Sequence, residues 1–229
     1  MTTPMNKFQA FVFDLDGLLI DSEPLWRRAE ILILNDLGVG LTDDMCKQTM
    51  GLRLDEMVEY WYDRFPWQNS SSEEVATWIL QEVTHLVKTE GEALPGAEAL
   101  VRNLKKQHGR LAVSSSSPHS LIRCALKKLD LLDCFSAICS AENEELGKPH
   151  PGVYLSTAKE LAVEPEECLA LEDSLNGVKS ARAAGMSVVA VPANGSLTEF
   201  PAEVRVFASL VEVENWLWLK IGSWPDRSS

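Results

Sequence analysis

The first hydrophobic pattern is a short run, Phe8 to Phe13, interrupted only by Gln9 and stopped by Asp14. Such a run predicts a strand buried on both faces, as in parallel sheets. The period then lengthens. Leu25, Ala29, Leu32 and Ile33 share one helical face and Gly38 closes it, so a helix is expected over Leu25–Gly38. Ser22, Glu23 and Pro24 suit its start. Further helices are expected over Thr42–Gln48, Leu54–Phe65 and Ser72–Lys88, with Pro66 and the run Asn69–Ser72 breaking the last two apart. No strand-like run occurs between Gly38 and about Gly91. A helical block of roughly 70 residues is far longer than an ordinary loop. It is expected to be an inserted helical domain.

The pattern then changes again. Leu94-Pro95-Gly96 marks a re-entry, followed by a helix over Ala97–Gln107 and a short strand over Leu111–Val113 that runs into Ser114–Ser117. A helix starting at Ser117 or Pro118 runs to Leu129, and Ser136–Ser140 reads as a weak strand. Gly147–Pro151 is a rigid loop, with a helix over Gly152–Leu161 behind it. The strand Cys168–Leu171 stops at Glu172-Asp173. After it come a helix over Ser174–Ala184, strands over Ser187–Val191 and Val204–Phe207, and a terminal helix over Val211–Lys220. Gly222–Ser229 reads as a frayed tail. Strands alternating with helices predict a parallel sheet of right-handed βαβ units.

Composition narrows the function. A formal charge of −13 in 229 residues argues against a nucleic-acid partner, but leaves room for a small phosphate ester at a local positive patch. The five cysteines show no CxxC spacing and read as reduced thiols, most simply as small buried apolar residues. MTTPMNKFQ lacks a secretory layout and no apolar run reaches bilayer length, so a cytoplasmic protein without a membrane partner is expected.

The candidate chemistry lies at strand ends, where open α/β sheets bind ligands. Asp14 and Asp16 are two apart and leave the first strand on one side, ahead of Gly17. Ser114–Ser117 offers hydroxyls and backbone N–H groups to an anion, although such a run also serves as a helix cap. Lys148, beside prolines, is either a fixed cation for a phosphoryl group or a surface lysine in a turn. Glu172-Asp173 adds acids to the end of another apolar strand. Four carboxylates in one pocket would repel severely without a hard cation such as Mg²⁺, which takes oxygen ligands. Each reading is weak alone; together, in this order, they converge on one site.

The stretch DLDGLLIDSEPLW resembles the first signature of the haloacid dehalogenase superfamily. SSSSPH, GKPHPGVY and ALEDSLNGV match its further signatures, and the local text is similar to the β-phosphoglucomutase and sugar-phosphatase branch. The resemblance implies a Rossmann-like, doubly wound parallel sheet core, residues 1–21 and 92–229, with an α-helical cap domain inserted over residues 22–91. It implies a phosphatase of small sugar or sugar-alcohol phosphates working through an aspartyl-phosphate, with Mg²⁺ as cofactor. Asp14 would be the nucleophile, Asp16 the acid and base, and Lys148 the stabilising cation. The metal set would be Asp14, Asp16 through its backbone carbonyl, Glu172 and Asp173. Substrate-binding positions would be Ser115 and Ser116, with Asn176 in support. Arg53 in the cap loop would face the substrate, or else be a solvated arginine at a helix start. Trp26 departs from the family, since β-phosphoglucomutases carry a histidine there. This favours hydrolysis over the alternative, a phosphomutase. Trp26 is expected either to stack on the sugar or to pack in the cap hinge. The expected partner is a small phosphorylated metabolite, with a monomeric protein as the default and a homodimer near the terminal helix as the alternative.

Overall fold

The computed structural model describes residues 8–192 and 200–221. Six strands form one parallel sheet in the order β3-β2-β1-β4-β5-β6. They are β1 (Ala10–Phe13), β2 (Leu111–Ser115), β3 (Ala137–Ser140), β4 (Cys168–Glu172), β5 (Ser187–Ala190) and β6 (Arg205–Val206). The order reverses at β1, which lies between β2 and β4. That is the switch point where doubly wound sheets open a ligand crevice.

Side-chain alternation splits the core by size. Phe11, Phe13, Leu111, Val113, Leu169 and Leu171 face one apolar cluster. Ala10, Val12, Ala112, Cys168 and Ala170 face the other. The small residues let α7 (Gly152–Leu161) approach the sheet closely, with Val153, Tyr154, Ala158 and Leu161 in that second cluster. Burial on both faces explains why the strands read as continuous apolar runs rather than alternating ones.

Five helices lie between β1 and β2. The first four are α1 (Glu23–Asp36), α2 (Asp43–Cys46), α3 (Leu54–Arg64) and α4 (Ser72–Glu90). Helix α4 begins at a capping box, in which the Ser71 hydroxyl accepts from Glu74 N–H and the Glu74 carboxylate accepts from Ser71 N–H. It packs on α1 and α3, and its buried face of Val75, Ile79, Val83, Leu86 and Val87 belongs to the same cluster as Phe11 and Phe13. The remaining helices are α5 (Ala97–His108), α6 (His119–Lys128), α8 (Leu175–Ala183) and α9 (Leu210–Ile221).

Three expected elements differ from those observed. The helix expected over Thr42–Gln48 is a single turn, capped by the Thr42 hydroxyl and followed by backbone turns through Cys46 and Thr49. The strand expected over Val204–Phe207 pairs only at Arg205 and Val206, because it lies at the sheet edge with one neighbour. Conversely, β2 continues into the serine run, since Ser114 and Ser115 pair with Cys139 and Ser140. That extension carries two hydroxyls to the level of Asp14. The tail expected over Gly222–Ser229 lies outside the described residues.

Candidate active site

Register brings the strand ends together. Phe13 pairs with Val113 on one side and Leu171 on the other, so Asp14, Ser114 and Glu172 leave adjacent strands at the same height. Lys148 arrives from the loop after β3, next to a cis peptide bond at Pro149. Its ammonium donates to Asp14 Oδ1 and Glu172 Oε1, each at 2.6 Å, and to the Ser114 carbonyl at 3.1 Å. Only 4% of Lys148 is exposed, so it is a buried ion-pair centre and not a surface lysine.

Glu172 is fully buried and its lone pairs are taken up by the chain. Oε1 accepts from Lys148 and from the Tyr154 hydroxyl at 2.5 Å. Oε2 accepts from Asp173 N–H at 3.2 Å, and from Ser174 N–H and its hydroxyl at 3.4 and 3.3 Å. Gly177 leaves the room this carboxylate occupies; a Cβ there would overlap it. Gly17, at φ +76°, does the same for Asp173, because its missing Cβ would meet Asp173 Oδ2.

Electrostatics explain why this group calls for a cation. Asp14, Glu172 and Asp173 offer oxygens that all lie within 4.8 Å of one another. Burial pushes Asp14 above the usual carboxylate range; Lys148 opposes this, while Glu172 and Asp16 reinforce it. Asp173 is pushed up chiefly by burial, then by Asp14 and Glu172. Burial would lower Lys148, but the two carboxylates outweigh it and hold the ammonium above its ordinary value. One lysine therefore faces three acids. An all-oxygen donor set with excess negative charge fits a hard divalent cation.

Asp16 points elsewhere. Its Oδ1 accepts from the Ser22 hydroxyl at 2.6 Å and the Trp26 indole N–H at 3.1 Å. Its Oδ2 accepts from Ser117 at 2.6 Å and Ser115 at 3.3 Å. The carboxylate thus joins the root of α1 to the end of β2, and only its backbone carbonyl is left for the expected metal role. Trp26 lines the cavity above the strand ends, but its N–H is spent on Asp16 rather than on a ligand.

The other candidates divide. Ser115 and Ser116 line the cavity, with the Ser116 hydroxyl donating to the Gly51 carbonyl at 2.9 Å. Arg53 is not brought to the cavity. Its guanidinium donates to the Ala141 and Glu144 carbonyls and pairs with Asp55 and Glu56, so in this structure it is neither solvated nor part of the cavity lining. The physical reason is local: at the N-cap of α3 it meets the acids of that first turn and the loop after β3. Asn176, in the first turn of α8, is outside the cavity lining, and its side chain has no hydrogen-bond partner among the described residues.

Several site residues were missed in the sequence. Tyr154 sits on the buried face of α7, where a phenol needs a polar partner; that is a usable signal. Ser22 lies within the first signature and Ser117 within the serine run already read as an anion site, but their bonds to Asp16 were not foreseen. The most informative miss is that Trp26, already a candidate, belongs to a stripe on α1. Glu23, Trp26, Arg27 and Glu30, spaced i, i+3, i+4, i+7, all line the cavity. Glu23 is pushed up to about 7, mainly by burial and then by Asp16, and Glu30 to about 8, mainly by burial and then by Glu23.

Residues 11–191 match the model of the haloacid dehalogenase-like hydrolase family. The chain belongs to this family. It is 42% identical over 194 residues to hexitol phosphatase B of Escherichia coli, covering 84% of this chain and 87% of that protein. It is 32% identical over 200 residues to a probable pseudouridine-5'-phosphatase of Drosophila melanogaster, covering 82% and 83%. Among solved structures, β-phosphoglucomutase from Clostridium difficile superposes with a TM-score of 0.81 at 23% identity, over 93% of this chain and 96% of that one. CbbY from Rhodobacter sphaeroides, solved with phosphate, gives 0.83 at 24%, over 90% and 96%. Those structures share the fold. The haloacid dehalogenase-like chain is thus a hydrolase built on a Rossmann-like sheet, as its signatures implied. Among the described residues no helix is long and apolar enough to cross a membrane.

Proposed function

We propose that this enzyme is a divalent-metal-dependent phosphatase of small sugar or sugar-alcohol phosphates, acting through an aspartyl-phosphate on Asp14. The observation that carries the reading is Lys148, buried and bonded to Asp14 and Glu172 at the ends of β1 and β4, within a group of three clustered acids. The likeness to hexitol phosphatase B supports the substrate class.

In this reading Asp14 attacks phosphorus in line with the ester oxygen. The P–O bond to the sugar breaks as a new P–O bond to Asp14 forms. Asp16, on turning from the hydroxyls that hold it in this structure, would give its proton to the departing alkoxide, then take one from the water that hydrolyses the aspartyl-phosphate. Ser115, Ser116 and the N–H groups at the end of β2 bind the phosphoryl oxygens. Lys148 holds Asp14 in place and offsets charge at the phosphoryl group. Asp14, Asp173 and the Asp16 carbonyl would hold Mg²⁺, with Glu172 positioning Lys148 and the Asp173–Ser174 backbone. When bound, the ion neutralises phosphoryl oxygens and the surrounding acids.

Residues 22–91 act as the cap that selects the substrate over a core of residues 1–21 and 92–229. Trp26 supports hydrolysis over phosphomutation, because an indole cannot relay a proton to a returning sugar hydroxyl. The enzyme works as a monomer in the cytoplasm on this reading. The test is phosphate release from a hexitol 6-phosphate with Mg²⁺. Asp14→Asn is expected to lower it by at least roughly a thousandfold. Wild-type turnover in that variant removes Asp14 as nucleophile.

A further inference from the structure

We propose that Glu30 reads a hydroxyl on the phosphate-free part of the substrate, and so makes the cavity selective for polyhydroxylated leaving groups. This rests on the phosphatase reading and deepens it.

Glu30 lies on α1 with 7% of its surface exposed, and it lines the cavity. Its Oε2 has no hydrogen-bond partner among the described residues. A buried, unpaired carboxyl oxygen costs stability unless something else satisfies it. Of its neighbours only the Cys46 thiol bonds to Glu30, a weak donor that leaves Oε2 without a partner. Arg27 turns to Asp43 at 3.4 Å and to Glu23 at 3.9 Å. Thr49 donates its hydroxyl to the Cys46 carbonyl. Trp26 is committed to Asp16. The lining also includes Leu52, Leu54 and Met57, which offer a hydrogen bond from no side chain, and Lys47, whose ammonium is paired with Asp44 at 2.6 Å.

Position fits the role. Trp26 touches Asp16, at the place where the ester oxygen departs, and Glu30 follows one helical turn later, about 6 Å along the axis. That is the reach of a short carbon chain leaving the phosphoryl site. The chemistry fits a hydroxyl better than a cation or an anion. Burial pushes Glu30 up to about 8, so near neutral pH its carboxyl is protonated, and it both donates and accepts as a hydroxyl does. The adjoining Glu23, a second acid on the same helix face, opposes an anionic tail. Sites that hydrogen-bond a substrate hydroxyl reject analogues lacking it, because the protein group is then left unpaired.

The experiment compares kcat/KM for a hexitol 6-phosphate, its deoxy analogues, glucosamine 6-phosphate and p-nitrophenyl phosphate in wild type, Glu30→Gln and Glu30→Leu. The ratio of hexitol 6-phosphate to p-nitrophenyl phosphate is expected to fall roughly 10- to 100-fold in Glu30→Leu and less in Glu30→Gln. One deoxy analogue is expected to lose the difference between wild type and Glu30→Leu, which identifies the hydroxyl. A ratio that stays at the wild-type value, including a parallel loss on every ester, overturns the role of Glu30. A wild-type preference for glucosamine 6-phosphate over the neutral sugar phosphates overturns it also. Wild type with no sugar-phosphate turnover at all defeats the functional reading itself, and is recognised without any variant.

Discussion

Gly177 stands directly against Glu172, and a Cβ at this position would overlap both of its carboxylate oxygens. Helix α8 can therefore begin where it does only because its first turn lacks a side chain on that face. The carboxylate it accommodates positions Lys148 and the backbone of Asp173 and Ser174. Gly177→Ala forces Glu172 to move. It is expected to cost about 2–4 kcal/mol of stability through overpacking and a broken buried network. It is also expected to lower phosphatase activity well beyond what that loss explains. Denaturant unfolding with steady-state kinetics on the same sample checks both; wild-type activity in a folded variant sinks the positioning role of Glu172.

Lys148→Met leaves Asp14 and Glu172 buried without their shared cation. Breaking such a pair from one side costs about 3–5 kcal/mol, since the remaining charges stay desolvated. Glu172→Gln added to Lys148→Met is expected to recover part of this stability and none of the activity. Stability loss under about 1 kcal/mol for Lys148→Met would contradict the buried ion-pair centre.

The acid cluster predicts a metal effect that can be read without turnover. An ion bound only by the folded chain adds about 2.7 kcal/mol at a hundredfold excess over Kd, or roughly 5–10 °C in Tm for a chain of this size. Mg²⁺ added to chelator-treated protein is expected to raise Tm by that order. In Asp173→Asn the response is expected to flatten. An equal rise in both proteins would place the ion elsewhere.

Glu30 carries a pH dependence with a definite sign. Its folded value is raised to about 8 from an ordinary 4.5, first by burial and then by Glu23, against Arg27 and the Cys46 thiol. The folded chain therefore keeps a proton that the unfolded chain releases at lower pH. Stability from this group is present below the unfolded value and is lost as pH rises through the folded one. Glu30→Gln stays neutral throughout. Its stability relative to wild type is expected to grow between pH 5 and pH 9 by a few kcal/mol at most, on the order of 2–4. Melting curves across that range check it, and a constant difference rules it out. Glu23, raised to about 7, titrates in both proteins and so largely drops out of the comparison.

Much of the site was legible along the chain. Asp14 follows an apolar run that reads as a strand, and so do Ser114–Ser117 and Glu172-Asp173, so a parallel sheet had to present them at one edge. Lys148 was identified by its place in a proline-rich loop, but its two hydrogen bonds, to Asp14 and to Glu172, were not foreseeable from spacing. Arg53 shows the limit of a motif. Its resemblance pointed to the substrate, while in this structure the acids of α3 and two carbonyls after β3 hold its guanidinium, partners that spacing does not reveal.

Periodicity and turn residues determined the strand-helix alternation, the run of helices between the first two strands and the residue types at the strand ends, because those depend on neighbours a few positions away. Only the tertiary structure decided which carboxylate faces what: Asp16 toward Ser22, Trp26, Ser115 and Ser117, Glu172 onto Lys148 and Tyr154, and Glu30 into the cavity with an oxygen left over. Those choices are made by burial and by partners far away in the chain, and a desolvated charge takes whichever donor the packing leaves within reach.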